Sequence, residues 1–312
     1  MDSNVPGDID ELRNLSEDDR EKLRQFNLIS AEANLIRERD KILIRGLFRN
    51  FYNKKLNVGI GFQRAYGAVL SGDYFDLIYL PDGNYLFIFA DMSGHGLPAY
   101  TTLVRFRSAI TMSITDARKI YEHSGSVDKD FFVKNVTTKF TDIMEESNSH
   151  DFACVLFTFI SNEEDKFHLT FYNRSMLFPI IVRKFQKDIV DVYDLNKEEK
   201  GWIPLKGNLL SSDVRLILGN SYLDCPSCTF TLYEGDSILY YSDGIIEAYN
   251  RELQSEEFGE NRLIDILKEN INLMPQLAVH ELFAAVYQFM GRPELQKDDM
   301  TAVLIGFPPV RQ

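Results

Sequence analysis

The order of predicted strands and helices in this sequence indicates an α+β fold. Strands and helices come in separate groups: strands over residues 58–90, helices over 97–121 and 128–146, strands over 152–243, helices over 261–271 and 275–290, and a last strand over 300–307. Grouping of this kind is typical of layered α+β proteins, whereas a βαβ fold needs strands and helices that alternate one by one.

The first two groups have recognisable local signals. The apolar runs DYFDLIYL and YLFIFA flank a PDGN turn at residues 81–84, which predicts a β-hairpin. The helix over 97–121 has Pro98 in its first turn, where the missing N–H has no cost. For the helix over 128–146, the pattern leaves Asp128 and Asp130 open as the capping residue.

Composition narrows the class of protein. A chain of 312 residues with 45% hydrophobic and 26% charged residues is long enough for one large domain and an extension. The formal net charge of -13 argues against an unaided nucleic-acid binder, because no basic surplus exists to neutralise phosphates. The longest apolar runs are far shorter than the roughly 20 residues that span a bilayer, so no membrane association is expected.

The cysteines indicate a reducing compartment. Three cysteines are an odd count, which favours a cytoplasmic protein over a disulfide framework. Cys225 and Cys228 form one CxxC pair, but a zinc site needs two more ligands, and Cys154 lies in the apolar run FACVLFTF. We therefore interpret CPSC as a turn before the strand over 228–233.

The sequence divides into residues 1–52, an acidic tail with a helical segment, and residues 53–312, a larger domain. In the helical segment apolar residues recur at intervals of seven, at Leu28, Leu35 and Ile42 and at Ile29, Ile36 and Leu43. This heptad-like stripe is too short to establish a coiled coil. Three partners for the stripe stay open: the chain's own domain, the same helix of a second copy, or an activating protein.

Aspartates at strand ends carry the strongest functional signal. Each lies beside an apolar strand: Asp73 in SGDYFD, Asp91 in ADMSGHG, Asp243 in YYSDGIIEA, and Asp298 and Asp299 in QKDDMT. Burying several ionised carboxylates is costly unless a cation compensates them. Carboxylate, carbonyl and water oxygens are the ligands that Mg²⁺ or Mn²⁺ prefers, so the set predicts a metal site. A phosphate-binding loop at GHG is disfavoured, since the lysine of a P-loop is missing.

Together and in this order, the segments SGDYFD, FADMSGHGLPA, YYSDGIIEA and KDDMT resemble those of the metal-dependent (PPM-type, protein phosphatase 2C-like) serine/threonine phosphatases. The bacterial SpoIIE/RsbU-like branch is the most similar. The resemblance covers about residues 57–307. It implies an αββα sandwich, in which two antiparallel β-sheets pack face to face between helices and metal ions bind at one end.

The resemblance also implies a set of ligands for two divalent cations, Mn²⁺ or Mg²⁺. In this set Asp91 bridges both ions, and the carbonyl of Met92 binds one of them. Asp73 holds the first ion, largely through waters, while Asp243 and Asp298 hold the second. Asp91 and Asp73 are accordingly the expected catalytic residues.

The resemblance also bears on two residues and one segment near these motifs. Asp299 competes with its neighbour for the ligand role, which we assign to Asp298. Glu247 matches the E-A of the family segment and is expected to support the loop without touching metal. The segment FYNRSMLFP replaces the small residues that relatives carry in an NAGHPP-like turn, which affects the expected docking of substrate.

The implied activity is hydrolysis of phosphoserine or phosphothreonine on a regulatory protein by a metal-activated water, with no nucleophilic side chain. An anti-anti-sigma-like substrate, an activating protein and a homodimer through the N-terminal helix are further expectations of the resemblance. The alternative is a catalytically weak relative that binds phosphoproteins as a scaffold. Such a relative should have lost a metal carboxylate, and every one of them is present here.

Overall fold

A computed structural model describes residues 56–163, 166–186, 189–198, 202–250 and 256–307. The predicted tail and helix over residues 1–52, and a dimer formed through that helix, lie outside these residues.

Two five-stranded antiparallel sheets form the centre of the domain. The first sheet has the order β1-β12-β9-β6-β7, with strands at Asn57–Gln63, Met300–Gly306, Ser237–Tyr241, Ile180–Gln186 and Ile189–Asp194. The second has the order β2-β3-β4-β5-β8, with strands at Tyr74–Tyr79, Tyr85–Met92, Ala153–Glu163, Lys166–Arg174 and Ser227–Tyr233. A small separate pair joins β10 and β11, at Tyr249–Asn250 and Glu256–Glu257.

Six α-helices occur among the described residues. In chain order, α1 to α6 occupy Gly96–Ser124, Lys129–Glu146, Ser212–Leu218, Asp243–Ile246, Gly259–Glu269 and Pro275–Met290. Short 3-10 turns occupy Gly219–Leu223 and Pro293–Leu295. Within the part of the chain that the structure describes, no helix is long and apolar enough to cross a membrane.

Each sheet has one face covered by a pair of helices. On the second sheet, Leu86 and Ile88 of β3 share a buried cluster with Phe106 of α1 and Phe132 of α2. Successive side chains of a strand point to opposite faces. Phe87, which lies between Leu86 and Ile88 in β3, therefore points away from α1 and α2. The second sheet is therefore a layer between α1–α2 and the first sheet.

The first sheet is covered in the same way by α5 and α6. Leu239 of β9 and Leu304 of β12 belong to a buried cluster with Leu263 of α5 and Leu282 of α6. The sequence prediction of an αββα sandwich is thus confirmed.

The faces between the sheets form an aromatic layer that leads to Asp91. The rings of Phe87 and Phe89 lie 4.5 and 6.1 Å, centroid to centroid, from Tyr240 of the opposite sheet. Asp91 is the next residue of β3 on this face, two positions beyond Phe89. The strand alternation therefore places its carboxylate at the end of the layer between the two sheets.

Two features of the fold differ from the simplest interpretation of the sequence. The strand over Asn57–Gln63 pairs with β12 in the first sheet, although β2 and β3, which follow it, form their hairpin in the second. Pairing across more than two hundred residues leaves no local signal. The short helices α3 and α4 were not predicted either. By contrast, Asp128 caps α2 as one of the two expected residues, accepting a hydrogen bond of 2.9 Å from Phe131 N–H.

Candidate metal centre

Asp91 lies among other acids at the end of β3. Burial is the largest cause that raises the pKa of its carboxyl group, to about 8, and the negative charges of Asp243, Asp298, Asp299 and Glu247 raise it further. After burial, the four largest effects on this pKa all come from the negative charges of acids. The end of the sandwich is therefore a site where negative charge is concentrated, which a cation would offset.

Asp73 reaches the same place from the loop before β2. Its side chain is buried, and Oδ2 accepts a hydrogen bond of 2.5 Å from Oγ1 of Thr301 in β12. Desolvation raises the pKa of Asp73 well above its ordinary value, the charge of Asp91 raises it further, and the Thr301 hydroxyl opposes the shift. Asp73 is thus held by the first sheet although it leads into the second.

The end of β9 brings Asp243 beside the start of β12. Ser242 N–H donates to the Thr301 carbonyl at 3.0 Å, and Thr301 N–H donates to Oγ of Ser242 at 2.9 Å. Asp243 then opens the short helix α4, where burial raises the pKa of its carboxyl group and the N–H of Gly244 opposes that shift. A Cβ at Gly244 would lie 2.1 Å from the carbonyl oxygen of Asp299, so only glycine permits this close approach.

Asp298 and Asp299 have different surroundings. Both carboxylate oxygens of Asp299 are occupied: Oδ1 accepts from Ala65 N–H and Oδ2 from Gly72 N–H, each at 2.8 Å. Asp298 is partly exposed and accepts from the Asp299 N–H through Oδ1. Asp299 therefore fastens the loop that carries Asp73 to β12, and the geometry supports Asp298 as the ligand, which stays a prediction.

The carbonyl of Met92 faces the loop that carries Asp73. A Cβ at Gly72 would lie 3.0 Å from this carbonyl oxygen, so the glycine keeps the space beside it open. The Met92 side chain is buried in the core on the other face. The next residue, Ser93, exchanges hydrogen bonds with the backbone of Phe152 at 2.9 and 3.0 Å, which gives its hydroxyl a structural partner.

The acidic side chains lie near Asp91 without forming a compact cluster among the described residues. Among the described residues, no group of three histidine, cysteine, aspartate or glutamate side chains stands close enough to hold an ion alone. The same carboxylates shift the pKa of Asp91, so they are near one another. Carboxylate oxygens are ligands that Mg²⁺ or Mn²⁺ prefers, so the chemistry of these side chains fits the divalent cations that the family resemblance implies.

Two further groups lie at the rim of the centre. Glu247 is exposed, and burial together with the charges of Asp243, Glu257 and Asp298 raises the pKa of its carboxyl group. His95 is the residue before α1, and its side chain caps no helix N–H. Its charge acts on Asp298, where it lowers the pKa of the carboxyl group against the larger effect of burial.

Sequence reasoning did not identify the residues that hold these ligands in place. Thr301 and Ser242 are both fully buried and both bond to the segments that carry the acids. Their only sequence signal is their position next to the aspartate motifs, in DDMT and YYSD. Hydroxyl groups at such places are common in proteins, and their partners lie in other strands of the chain.

The segment FYNRSMLFP forms the end of β5 and the loop that leads to β6. The side chain of Arg174 is fully buried and donates to the carbonyl oxygens of Tyr222 and Leu223 at 2.7 and 3.1 Å. Cys225 lies just before β8, beside the Asn173 carbonyl, Cys228 lies within β8, and both are free thiols. Arg174 thus connects β5 to the chain before β8, on the second sheet.

Comparison with known proteins agrees with this arrangement. The sequence model of the family described as Stage II sporulation protein E (SpoIIE) matches residues 81–308. The chain belongs to the SpoIIE family. This match includes Asp91, Asp243 and Asp298, while Asp73 lies just before it. No curated protein matches the sequence at a significant level.

Three solved structures are similar to this chain in fold. The SiaA-PP2C domain of Pseudomonas aeruginosa superposes with a TM-score of 0.62 at 17% identity, over 92% of this chain and 98% of that one. A structure of SpoIIE from Bacillus subtilis contains the PP2C phosphatase domain and a fragment of the regulatory domain. It superposes with a TM-score of 0.55 at 16% identity, over 82% of this chain and 64% of that one. The RsbU and RsbW domains of a Mycobacterium tuberculosis protein superpose with a TM-score of 0.52 at 17% identity, over 81% of this chain and 61% of that one.

The chain therefore spans less than two thirds of the Bacillus subtilis and Mycobacterium tuberculosis structures that it matches. At such identities the likeness concerns the fold. Together with the family match, it shows that the described residues are a SpoIIE-family domain with the fold of PP2C-type phosphatase domains.

Proposed function

We propose that this SpoIIE-family domain is an active, metal-dependent serine/threonine protein phosphatase. The observation that carries the proposal is the concentration of carboxylates around Asp91, whose pKa is raised to about 8 by burial and by its acidic neighbours. A fold that places several acids together at one end loses stability unless a cation binds there. Two ions, Mn²⁺ or Mg²⁺, are the cofactors we propose.

The chain's own residues have distinct parts in this proposal. Asp91 would hold both ions and the Met92 carbonyl one of them, Asp73 would hold the first ion, and Asp243 and Asp298 would hold the second. Thr301 orients Asp73 by its hydrogen bond of 2.5 Å. When bound, two divalent cations supply a water of lowered pKa and neutralise charge on the phosphoryl group. No side-chain nucleophile is needed, and the hydroxyl of Ser93 is already bonded to the backbone at Phe152.

The substrate we propose is a phosphoserine or phosphothreonine of a regulatory protein of the anti-anti-sigma type, in the cytoplasm. Membership of the SpoIIE family supports this class of substrate. A solved relative carries RsbU and RsbW domains in one chain, which supports a partner of the same signalling type. An activating protein and a homodimer through residues 1–52 complete the proposal.

Hydrolysis of p-nitrophenyl phosphate and of phosphoserine, phosphothreonine and phosphotyrosine peptides tests this function. We expect turnover that depends on Mn²⁺, disappears with chelator and is fastest on phosphoserine or phosphothreonine. Because basal activity of an activated enzyme can be low, the assay is repeated with phosphorylated candidate partners. Binding of a phosphorylated partner without any Mn²⁺-dependent hydrolysis would instead indicate the scaffold function.

A further inference from the structure

A cavity lies directly beside the proposed metal ligand Asp298. Asp298 lines one of its walls, together with Gly244, the residue that follows Asp243. The cavity has a volume of about 280 Å³. Sites that take whole small molecules usually measure roughly 300–1,000 Å³. The cavity therefore adjoins the place where a substrate's phosphoryl group would bind, and its size suits one side chain of that substrate better than a separate small molecule.

Part of the cavity lining is apolar and buried. Ala248, Met290 and Leu295 line the cavity, and at most 8% of the surface of each is exposed. Ala248 and Met290 also belong to the buried cluster between the first sheet and its helices. A long aliphatic chain that enters the cavity buries apolar surface against these three side chains, which favours its binding.

Two acids outside the proposed ligand set also line the cavity. Glu247 follows α4 and Glu257 belongs to β11, and both side chains are exposed. Among the described residues, none of the ion pairs involves either of them, whereas the neighbouring Glu256 pairs with Arg262 at 2.5 Å. Both carboxylates are thus available to a cationic group that enters the cavity.

A single lysine opposes these acids. Lys297 is the one basic side chain that lines the cavity among the described residues. Its ammonium nitrogen lies 4.2 Å from the centroid of the Tyr249 ring, which is a favourable contact for a cation. Even when a bound metal ion offsets the charge of Asp298, two glutamates remain against one lysine. The cavity therefore has an excess of negative charge beside its apolar lining.

We propose that this cavity binds a basic side chain, arginine or lysine, that lies close to the phosphorylated residue in the substrate's sequence. The inference rests on the proposed phosphatase function and specifies a feature of its substrate. The aliphatic stem of the basic residue packs against Met290 and Leu295, while its charged end stays near the water and binds Glu247 and Glu257. An acidic residue at the same position is disfavoured, because it brings like charges together.

Phosphoserine peptides test the proposal on the full-length, Mn²⁺-loaded protein. Each peptide carries arginine, leucine or glutamate at one position within about three residues of the phosphoserine and alanine at the other positions. At one or more positions, we expect kcat/KM for the arginine peptide to exceed that for the glutamate peptide by about fivefold or more, the upper range for one exposed ion pair. Glu257→Lys should abolish or reverse this preference. The ratio between two peptides is unaffected by any change in turnover that both share.

Glu122→Lys is the matched control, since Glu122 is an exposed acid in the last turn of α1, at the opposite end of that helix from His95. This variant has the same change in charge and should keep the wild-type ratio. An equal loss of preference in Glu122→Lys and Glu257→Lys would overturn the proposal, because the net charge of the protein would then account for it.

Two results with the wild-type protein would also overturn the proposal: no preference for arginine over glutamate at any position, or faster hydrolysis of the leucine peptide than of the arginine peptide at the preferred position. If the wild-type protein hydrolyses none of the peptides, the proposed function fails. Binding of the same peptides, labelled and followed by fluorescence anisotropy in the wild type and in Glu257→Lys, then still decides whether the cavity selects a basic residue.

Discussion

Thr301 Oγ1 donates a hydrogen bond of 2.5 Å to Oδ2 of Asp73, although the two residues are 228 positions apart in the chain. Thr301 belongs to β12 of the first sheet, and Asp73 precedes β2 of the second. Both side chains are buried, so the bond is shielded from water. It joins the two sheets at the end where the carboxylates gather, and it fixes the orientation of one proposed ligand.

Replacing Thr301 by valine should weaken metal binding without removing a ligand. Valine has a similar shape but cannot donate, so Asp73 would be free to turn and one of its oxygens would lack a partner. Loss of an outer partner of a metal ligand typically costs about 10- to 100-fold in affinity. Mn²⁺ titrations followed by calorimetry should show a loss of this size. Thr301→Ser, which keeps the hydroxyl, is the control, and an unchanged midpoint in Thr301→Val would refute this role.

Asp298 and Asp299 should respond oppositely to substitution by asparagine. Asp299→Asn places an amide NH₂ against one of two backbone N–H groups, at Ala65 or Gly72, and should lower the free energy of unfolding of the metal-free protein by about 1–3 kcal/mol. Asp298→Asn keeps the acceptor for the Asp299 N–H and should mainly weaken Mn²⁺ binding. Urea unfolding with chelator and Mn²⁺ titration distinguish the two. The reverse pattern would assign the ligand role to Asp299.

The metal-free protein should become more stable as the pH falls from about 8 towards 6. The pKa of Asp91 is raised from 3.8 to about 8 in the folded protein, and that of Asp73 is raised as well. A carboxyl group with a raised folded pKa binds more protons when folded, so its contribution to stability is present at low pH and is lost as the pH rises through the folded pKa.

Melting temperatures between pH 6 and pH 8.5, measured with chelator, test this dependence. Asp91→Asn should reduce the slope, and saturating Mn²⁺ should raise the melting temperature most at the higher pH, because an ion that binds only the folded protein stabilises it. Equal slopes for the wild type and Asp91→Asn, and no response to millimolar Mn²⁺, would show that the acids do not share one centre.

Deletion of residues 1–50 should change the oligomeric state or the specific activity and leave a folded domain. The apolar stripe at Leu28, Leu35 and Ile42 needs a partner, because an isolated helix of this length is only marginally stable in water. Light scattering and Mn²⁺-dependent turnover of the deleted and full-length proteins provide the comparison. Identical mass, basal rate and response to a phosphorylated partner would mean that the segment serves only for packing.

The sequence was sufficient to predict the layers of the fold and the position of the acids. Periodicity identified the buried strands, and alternation along β3 explains why Asp91 follows Phe87 and Phe89 on the face between the sheets. These are local properties of the chain. The pairing of β1 with β12 is not local, since it depends on which of several apolar strands lies beside which, and no short segment encodes it.

The same distinction applies to the site. The aspartate motifs were visible, but the choice between Asp298 and Asp299 depends on the two backbone N–H groups that occupy Asp299, and these come from a loop more than two hundred residues earlier. Thr301 and Ser242 had no motif of their own, because the groups that they bond come from distant parts of the chain.

Turnover of the Asp91→Asn variant at saturating Mn²⁺ tests the central claim most directly. The account predicts a fall of more than about 100-fold with the fold preserved, since loss of a bridging ligand should exceed the loss of an outer partner. Asp82→Asn is the matched control, because Asp82 lies in the turn before β3 and its Oδ1 accepts from Asn84 N–H at 3.2 Å, a bond that asparagine can keep. Wild-type turnover in Asp91→Asn would contradict the two-cation centre.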